Sequence, residues 1–196
     1  MAAQLPVRRR LISTTGSPAL RWLGDQAGYL HPLLRDLHAR GGVLRGTVRL
    51  EYGSGPAGWL GRRLARHLGL PAQPGAHAFE VRIHHDDQSL HWDRCFDGST
   101  WLRSVFTPVG CWPDGYFVER IGPARMLLGV EVIDGAWHWR LRDLSWHGLP
   151  LPRGLLRPVA YKRIEQDRYR FYAGFMLAGM GKLFSYEGLL DARIGS

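Results

Sequence analysis

AFEVRIHHDDQSLHWDRCFDGSTWLRSVFT, residues 78–107, decides the fold. Phe79, Val81 and Ile83 alternate with Glu80 and Arg82, which is the period of a strand and not of a helix. Asp86-Asp87 and Asp97-Gly98 divide the stretch into β-prone runs at 78–84, 89–96 and 100–107, and both dipeptides favour tight turns. The same texture continues at 115–121, 125–133, 136–145, 158–165, 168–177 and 182–191, punctuated by Pro113-Asp114-Gly115, Asp134-Gly135 and Gln166-Asp167. Upstream, VLRGTVRLEY at 43–52 alternates too, with Gly46 marking a bulge or a close approach. Turn signals every ~8–12 residues are the signature of a sandwich or barrel, and about nine or ten strands in one sheet tend to curl or close.

The first third reads helical. Ser17-Pro18 supplies an N-cap with proline at N1, ahead of Leu20, Trp22 and Leu23. Residues 30–40 carry Leu30, Leu33, Leu34 and Leu37 on one face, admit Pro32 only in the first turn, and end at Gly41-Gly42. A third helix, 56–68, repeats Leu60, Leu64 and Leu68 beside Trp59, with Arg62, Arg63 and Arg66 opposite. Packing of these leucines on the sheet is the ordinary reading of such a helix, and attachment to a membrane surface is the competing one. The expected fold is therefore α+β and mainly antiparallel β. It is a strongly curved sheet or partly closed barrel, a lipocalin-like or helix-grip-like cup, with N-terminal helices. Residues 17–196 form one such domain, and 1–16, with Arg8, Arg9 and Arg10 followed by a polar stretch, form a flexible basic tail.

Composition narrows the function classes. With 196 residues and 45% hydrophobic content, the chain can build a core without staples. Cys95 and Cys111 have no metal-like spacing and are expected to be reduced thiols in a cytoplasmic protein. No apolar run reaches the ~18 residues a membrane-spanning helix needs, so no integral membrane association is expected. The formal charge of +9 invites an anionic partner. Yet only Lys162 and Lys182 are lysines, and the arginines are scattered along the chain rather than gathered in a stripe. That is the mark of coding bias, and no nucleic-acid partner is expected. No glycine-rich phosphate loop, nucleophile elbow or zincin motif occurs, so no cofactor is expected.

Two constellations carry chemistry. His84-His85-Asp86-Asp87 with His91 has metal-ligating residue types, but neighbours on a strand point to opposite faces and the segment is an obvious turn, so no metal is expected. The second is a row of polar residues on successive strands: Glu80 with Arg82, Trp92 with Arg94, then Ser104 and Glu119. On an outer face such a row is solvated. On the inner face of a cup its charges are desolvated, paired and suited to acid–base work. Glu80 and Glu119 are the candidate acid or base, and Arg82 and Arg94 the candidates to hold an oxyanion or carboxylate. Trp92, Ser104, Arg170, Tyr172 and Tyr186 are the candidates to line the ligand. The strands around Trp137 and Trp139, and around Tyr169 and Phe171, read as aromatic core.

Several phrases occur in a recognisable order. They are Leu30-His31-Pro32, Gly41-Gly42 with Gly46, Leu68-Gly69-Leu70-Pro71, Glu80-Val81-Arg82-Ile83 and Trp92-Asp93-Arg94-Cys95-Phe96-Asp97-Gly98. Arg103-Ser104, Glu119-Arg120-Ile121-Gly122-Pro123, Gly148-Leu149-Pro150-Leu151-Pro152, Tyr169-Arg170-Phe171 and Tyr186-Glu187-Gly188 follow. Over about residues 28–191 the chain resembles the bacterial domain of unknown function numbered four thousand one hundred sixty-six. Members of that family often follow saccharopine-dehydrogenase-like or short-chain-dehydrogenase-like domains. The resemblance thus implies either action alone or a separate dehydrogenase or reductase partner, and it implies no catalytic residues.

The expected function is binding of a hydrophobic small molecule, polyketide-, isoprenoid- or lipid-like, with cofactor-independent isomerisation, cyclisation or dehydration. The alternative is a non-catalytic binding or accessory module that works with a separate NAD(P)-dependent oxidoreductase.

Overall fold

The computed structural model describes residues 17–195, and the stretch read as a basic tail, 1–16, lies outside the described residues. Helices α1 (Pro18–Leu23) and α2 (Pro32–Arg40), joined by a 3-10 turn at Gly24–Tyr29, precede strand β1 (Gly42–Tyr52). Helix α3 (Gly55–His67) separates β1 from β2 (Gly75–His85). A meander follows: β3 (Leu90–Phe96), β4 (Thr100–Val109), β5 (Tyr116–Ile121), β6 (Ala124–Ile133), β7 (Ala136–Trp146), the two-residue β8 (Leu149–Pro150), β9 (Leu156–Glu165), β10 (Arg168–Leu177) and β11 (Gly181–Ile194). All pairings are antiparallel. The sheet runs β6-β5-β4-β3-β2-β1-β11-β10-β9-β7, and β6 pairs with β7 to close it. The curved sheet expected from the turn spacing is thus a closed ten-stranded up-and-down barrel, with β8 appended to the edge of β7. Closure leaves no long free edge.

The turns account for the hairpins. Asp97-Gly98, Asp134-Gly135 and Gln166-Asp167 all take positive φ at both central positions, the backbone that lets a two-residue turn follow the strand twist. Each helix has proline in its first turn, where the missing N–H costs nothing. Helix α2 stops at Gly41, which has φ of 73° and would place a Cβ 2.4 Å from the Ile83 carbonyl oxygen. Only glycine satisfies both demands.

The two ends of the barrel differ. Helices α1 and α2 close one end. Trp22 Nε1 donates to Val109 O at 3.2 Å, His31 N to Gly135 O at 3.0 Å, and His85 bonds Ala39 O at 2.9 Å. Helix α3 lies across the other end, and Leu60, Leu64 and Leu68 pack against the core as expected, though only partly buried. The residues it buries fully are Ala57, Gly58, Gly61 and Ala65. A Cβ on Gly61 would come 2.1 Å from Leu183 O, so the helix rests on the β11 backbone through its small residues. Leu60, Leu64 and Leu68 are left half-buried over the barrel mouth.

The wall has one weak line. Strand β7 pairs with β9 only through Trp137↔Lys162, His138↔Tyr161 and Trp139↔Ala160. Beyond Trp139 the two strands part, and the slot between them is lined by apolar residues such as Leu141, Leu156 and Pro158 together with Arg140, Arg142, Arg153 and Arg157. Pro158 has no N–H to offer a ladder at this edge.

Candidate functional site

The register decides which polar groups enter the barrel. Val81 pairs with Arg94, Ile83 with Trp92, Trp92 with Ser104, Phe106 with Glu119, and Trp137 with Lys162, so all of these share the inner face. Glu80 and Arg82 fall on the opposite parity. Outside the barrel Glu80 binds Arg82 Nε at 2.7 Å and Arg45 Nε at 2.8 Å. Arg170 and Tyr172 also alternate outward: Arg170 reaches Glu187 at 2.9 Å, and Tyr172 stacks on Tyr161 at 5.7 Å. The row of candidates is therefore divided. Arg94, Glu119, Trp92, Ser104 and Tyr186 converge on the interior and Tyr172 borders the cavity beside Tyr161, whereas Glu80, Arg82 and Arg170 do not.

Two further groups join the interior that the sequence reading did not select. Lys162 of β9 is buried, with Nζ 3.9 Å from the Trp92 ring centre, 4.6 Å from Trp137 and 5.2 Å from Trp139. His38 of α2, also buried, projects from the plug and stacks on Trp137 at 4.5 Å. Its Nε2 lies 3.2 Å from Lys162 Nζ. If the amine donates to Nε2, the imidazole proton sits on Nδ1, which has no partner among the described residues. Trp92 Nε1 and Tyr169 OH are likewise buried without partners.

Around these groups is a cavity of about 100 Å³ walled by Phe79, Leu102, Phe106, Met126, Trp139, Phe171 and their neighbours. Engineered apolar cavities of about 150 Å³ accept a benzene ring, so this one suits a compact head group. Leu68, Ile121, Met126 and Phe175 border both this cavity and a wider apolar vestibule of about 550 Å³ beneath α3. The half-buried leucines of α3 roof that vestibule.

Burial sets the electrostatics. Desolvation raises the Glu119 carboxyl above its ordinary 4.5, while Arg94, the Ser104 hydroxyl and Lys162 pull it the other way. Arg94 stands 3.9 Å from Glu119, close enough for attraction but not for a tight pair. Burial, then the Arg94 charge, holds the Lys162 amine well below its ordinary 10.5, with Glu119 opposing. Burial, then Lys162 and His85, holds His38 well below 6.5. Tyr169 is pushed up by burial. An acid with raised pKa and an amine with a lowered one thus face one apolar cavity, with a lowered imidazole against the amine, the pattern that brings proton transfer toward neutral pH.

The His38 shift has a measurable consequence. Below its ordinary 6.5 the unfolded chain takes up a proton that the folded imidazole refuses, so this residue weakens folding as the pH falls. His38→Phe keeps an aromatic ring against Trp137 and abolishes that slope. Urea unfolding at about pH 7.5 and about pH 5.5 should show the wild type losing up to ~1.4 kcal/mol per pH unit relative to the variant. Parallel profiles would mean that His38 does not titrate in a buried state.

The histidine-rich hairpin is differently built. His84 and His91 stack flat at 4.7 Å, His91 bonds Asp86 at 2.9 Å, and His85 turns away to Ala39. His91 and the backbone N–H groups of Gln88 and Ser89 lower the Asp86 carboxyl to about 2. Among the described residues no group of three or more His, Cys, Asp or Glu side chains is placed to hold a metal ion. Cys95 and Cys111 are both free thiols. No helix among the described residues is long and apolar enough to cross a membrane.

The family model described as Domain of unknown function (DUF4166) matches residues 30–190, which takes in α2, α3 and every barrel strand except the last residues of β11. No curated protein matches the chain.

Proposed function

The chain belongs to the DUF4166 family, and on that premise we propose that its barrel binds a small molecule with an apolar body and a compact polar head and acts on it by proton transfer. The head lies in the inner cavity and the apolar body extends under α3. Glu119 gives or takes the proton, and Arg94 holds the oxygen on which negative charge develops. Isomerisation, cyclisation or dehydration of a polyketide-, isoprenoid- or lipid-like compound are reactions of this kind.

One observation carries the reading: Glu119, Arg94, Lys162 and His38 meet inside an otherwise aromatic and aliphatic barrel, beside the unpartnered Tyr169 and Trp92 atoms. Scaffolds rarely keep so many desolvated polar groups incompletely satisfied, because each costs about 1–3 kcal/mol. Sites that recognise a polar ligand do.

Native mass spectrometry of the gently purified protein, followed by extraction of what travels with it, identifies the ligand. Turnover of that compound should fall by about 10²-fold or more in Glu119→Gln, with binding retained. Undiminished turnover in the variant removes Glu119 from the chemistry. The second reading is a carrier that hands its ligand to a separate NAD(P)-dependent oxidoreductase, and the slot beside Pro158 supports it, because Trp139, Leu141 and Pro158 border both the slot and the cavity. Under that reading the purified chain binds the compound but leaves it unchanged until the oxidoreductase is added.

A further inference from the structure

Two lysines serve this chain, and they are placed in opposite ways. Lys182 is partly exposed and its Nζ is held by Glu51 Oε2 at 2.7 Å. Lys162 has no carboxylate within ion-pair distance among the described residues, lines the cavity, and is enclosed by the faces of Trp92, Trp137 and Trp139. A lysine used only as scaffold would gain by pointing its amine out of the barrel, since its long stem can cover apolar surface while the head stays wet. Here the amine itself is at the cavity wall, with an imidazole nitrogen 3.2 Å away.

The geometry points to Lys162 as a nucleophile that forms an imine with a carbonyl-bearing ligand, an aldehyde or ketone, using His38 as its proton shuttle. The inference rests on the reading of the cavity as a ligand site and names the chemical class that site takes.

The step balances without any further reactant. The Nζ lone pair attacks the carbonyl carbon, forming a C–N bond as the C=O π electrons move to oxygen. His38 Nε2 accepts a proton from the nitrogen, the oxygen becoming a hydroxyl with a proton from solvent. The protonated imidazole then returns a proton to that hydroxyl as the C–O bond breaks, and one water leaves. What remains is the protonated imine, its charge the proton taken from solvent, with no oxidation or reduction. Burial of Lys162 assists, because an amine must be unprotonated to attack. Protonated, the imine nitrogen is an electron sink for removal of a neighbouring proton, which connects the covalent step to the proton transfer assigned to Glu119.

The probe pair is octanal and octanol, which share an apolar body and differ in the carbonyl. The intact protein is incubated with octanal and sodium cyanoborohydride near neutral pH, and alkylation is mapped by peptide mass spectrometry. Lys182 is the internal control, since the sequence holds no third lysine. Lys162 should be alkylated on the order of tenfold faster than Lys182 or more, because an ordinary lysine is unprotonated in only about one molecule in a thousand near pH 7. Octanol should compete with that labelling, and calorimetry measures its binding directly. Labelling of Lys162 no faster than Lys182, with octanol still bound, overturns the imine and leaves the cavity reading standing. Failure of both octanal labelling and octanol binding overturns both. A Lys162→Met variant that stays folded should lose the fast label while still binding octanol.

Discussion

Trp137→Ala is expected to lower the unfolding free energy by about 3–5 kcal/mol, the range for deleting a fully enclosed large aromatic side chain. For a domain whose whole stability is about 5–15 kcal/mol, that is a large fraction. Trp137 is fully buried and packs against His38 at 4.5 Å, Trp139 at 5.1 Å and Phe117 at 6.1 Å. Its Nε1 has no partner among the described residues, so the loss is of packing and not of a hydrogen bond. It also occupies one of the three pairs that join β7 to β9. The cavity left behind would open at the weakest line of the wall, where the chain has least to collapse onto. Trp137→Phe, which keeps a ring against His38, should lose less than about half as much. Urea unfolding followed by far-UV circular dichroism measures both. A loss below about 1 kcal/mol for the alanine variant would show that the seam is not held by this side chain.

The barrel was legible because its signals are local. Asp97-Gly98, Asp134-Gly135 and Gln166-Asp167 announce their turns, and the strands between them begin and end within a few residues of where the turns place them. Closure was not legible. It depends on β11 meeting β1 across the length of the chain and on β7 meeting β9, pairings between runs that no two-residue turn links. Helix α3 was legible in part. Leucines at every fourth position mark a face that does pack on the core, but the closest approach, to Leu183, is made by Gly61 and the small residues around it.

The site was half legible, and parity explains which half. Glu80 and Arg82 alternate against Phe79, Val81 and Ile83, so in a barrel that buries the apolar row they belong outside. Arg94 instead shares the parity of Leu90, Trp92 and Phe96, Ser104 that of Leu102 and Phe106, and Glu119 that of Phe117 and Ile121. Lys162 shares the parity of Ala160 and Ile164, and His38 extends the helical stripe of Leu30 and Leu34. A polar residue on the apolar parity is the signal common to all five. Grouping polar residues across strands without a register joins Glu80 to Arg94, although the pairing of Val81 with Arg94 puts them on opposite faces. Lys162 and His38 are 124 residues apart in sequence, and only the plugging of the barrel by α2 brings them together.

Removing Arg94 should destabilise the protein in a manner that pH reveals. Arg94→Met leaves Glu119 buried without its nearest cation, and breaking one side of a buried pair costs about 3 kcal/mol or more. The sign follows from the direction of the Glu119 shift. Its folded carboxyl keeps a proton above 4.5, where the unfolded chain has already lost one, so its contribution to stability declines as the pH rises from 4.5 through the folded pKa. Arg94 is the strongest influence opposing that rise, and without it the window of decline extends further upward. The variant should therefore approach wild-type stability near pH 4.5 and fall away from it toward neutrality, by up to ~1.4 kcal/mol per unit. Chemical unfolding of both proteins across that range tests it, and a deficit independent of pH would mean that the guanidinium serves packing alone. Replacing both partners, Arg94→Met with Glu119→Met, should recover most of the loss, since apolar substitutes for a buried pair are often neutral or stabilising. Such a double variant isolates what the pair is for. If it folds as well as the wild type yet no longer binds or turns over the ligand, then the charges inside this barrel are maintained against stability, and their function is chemical.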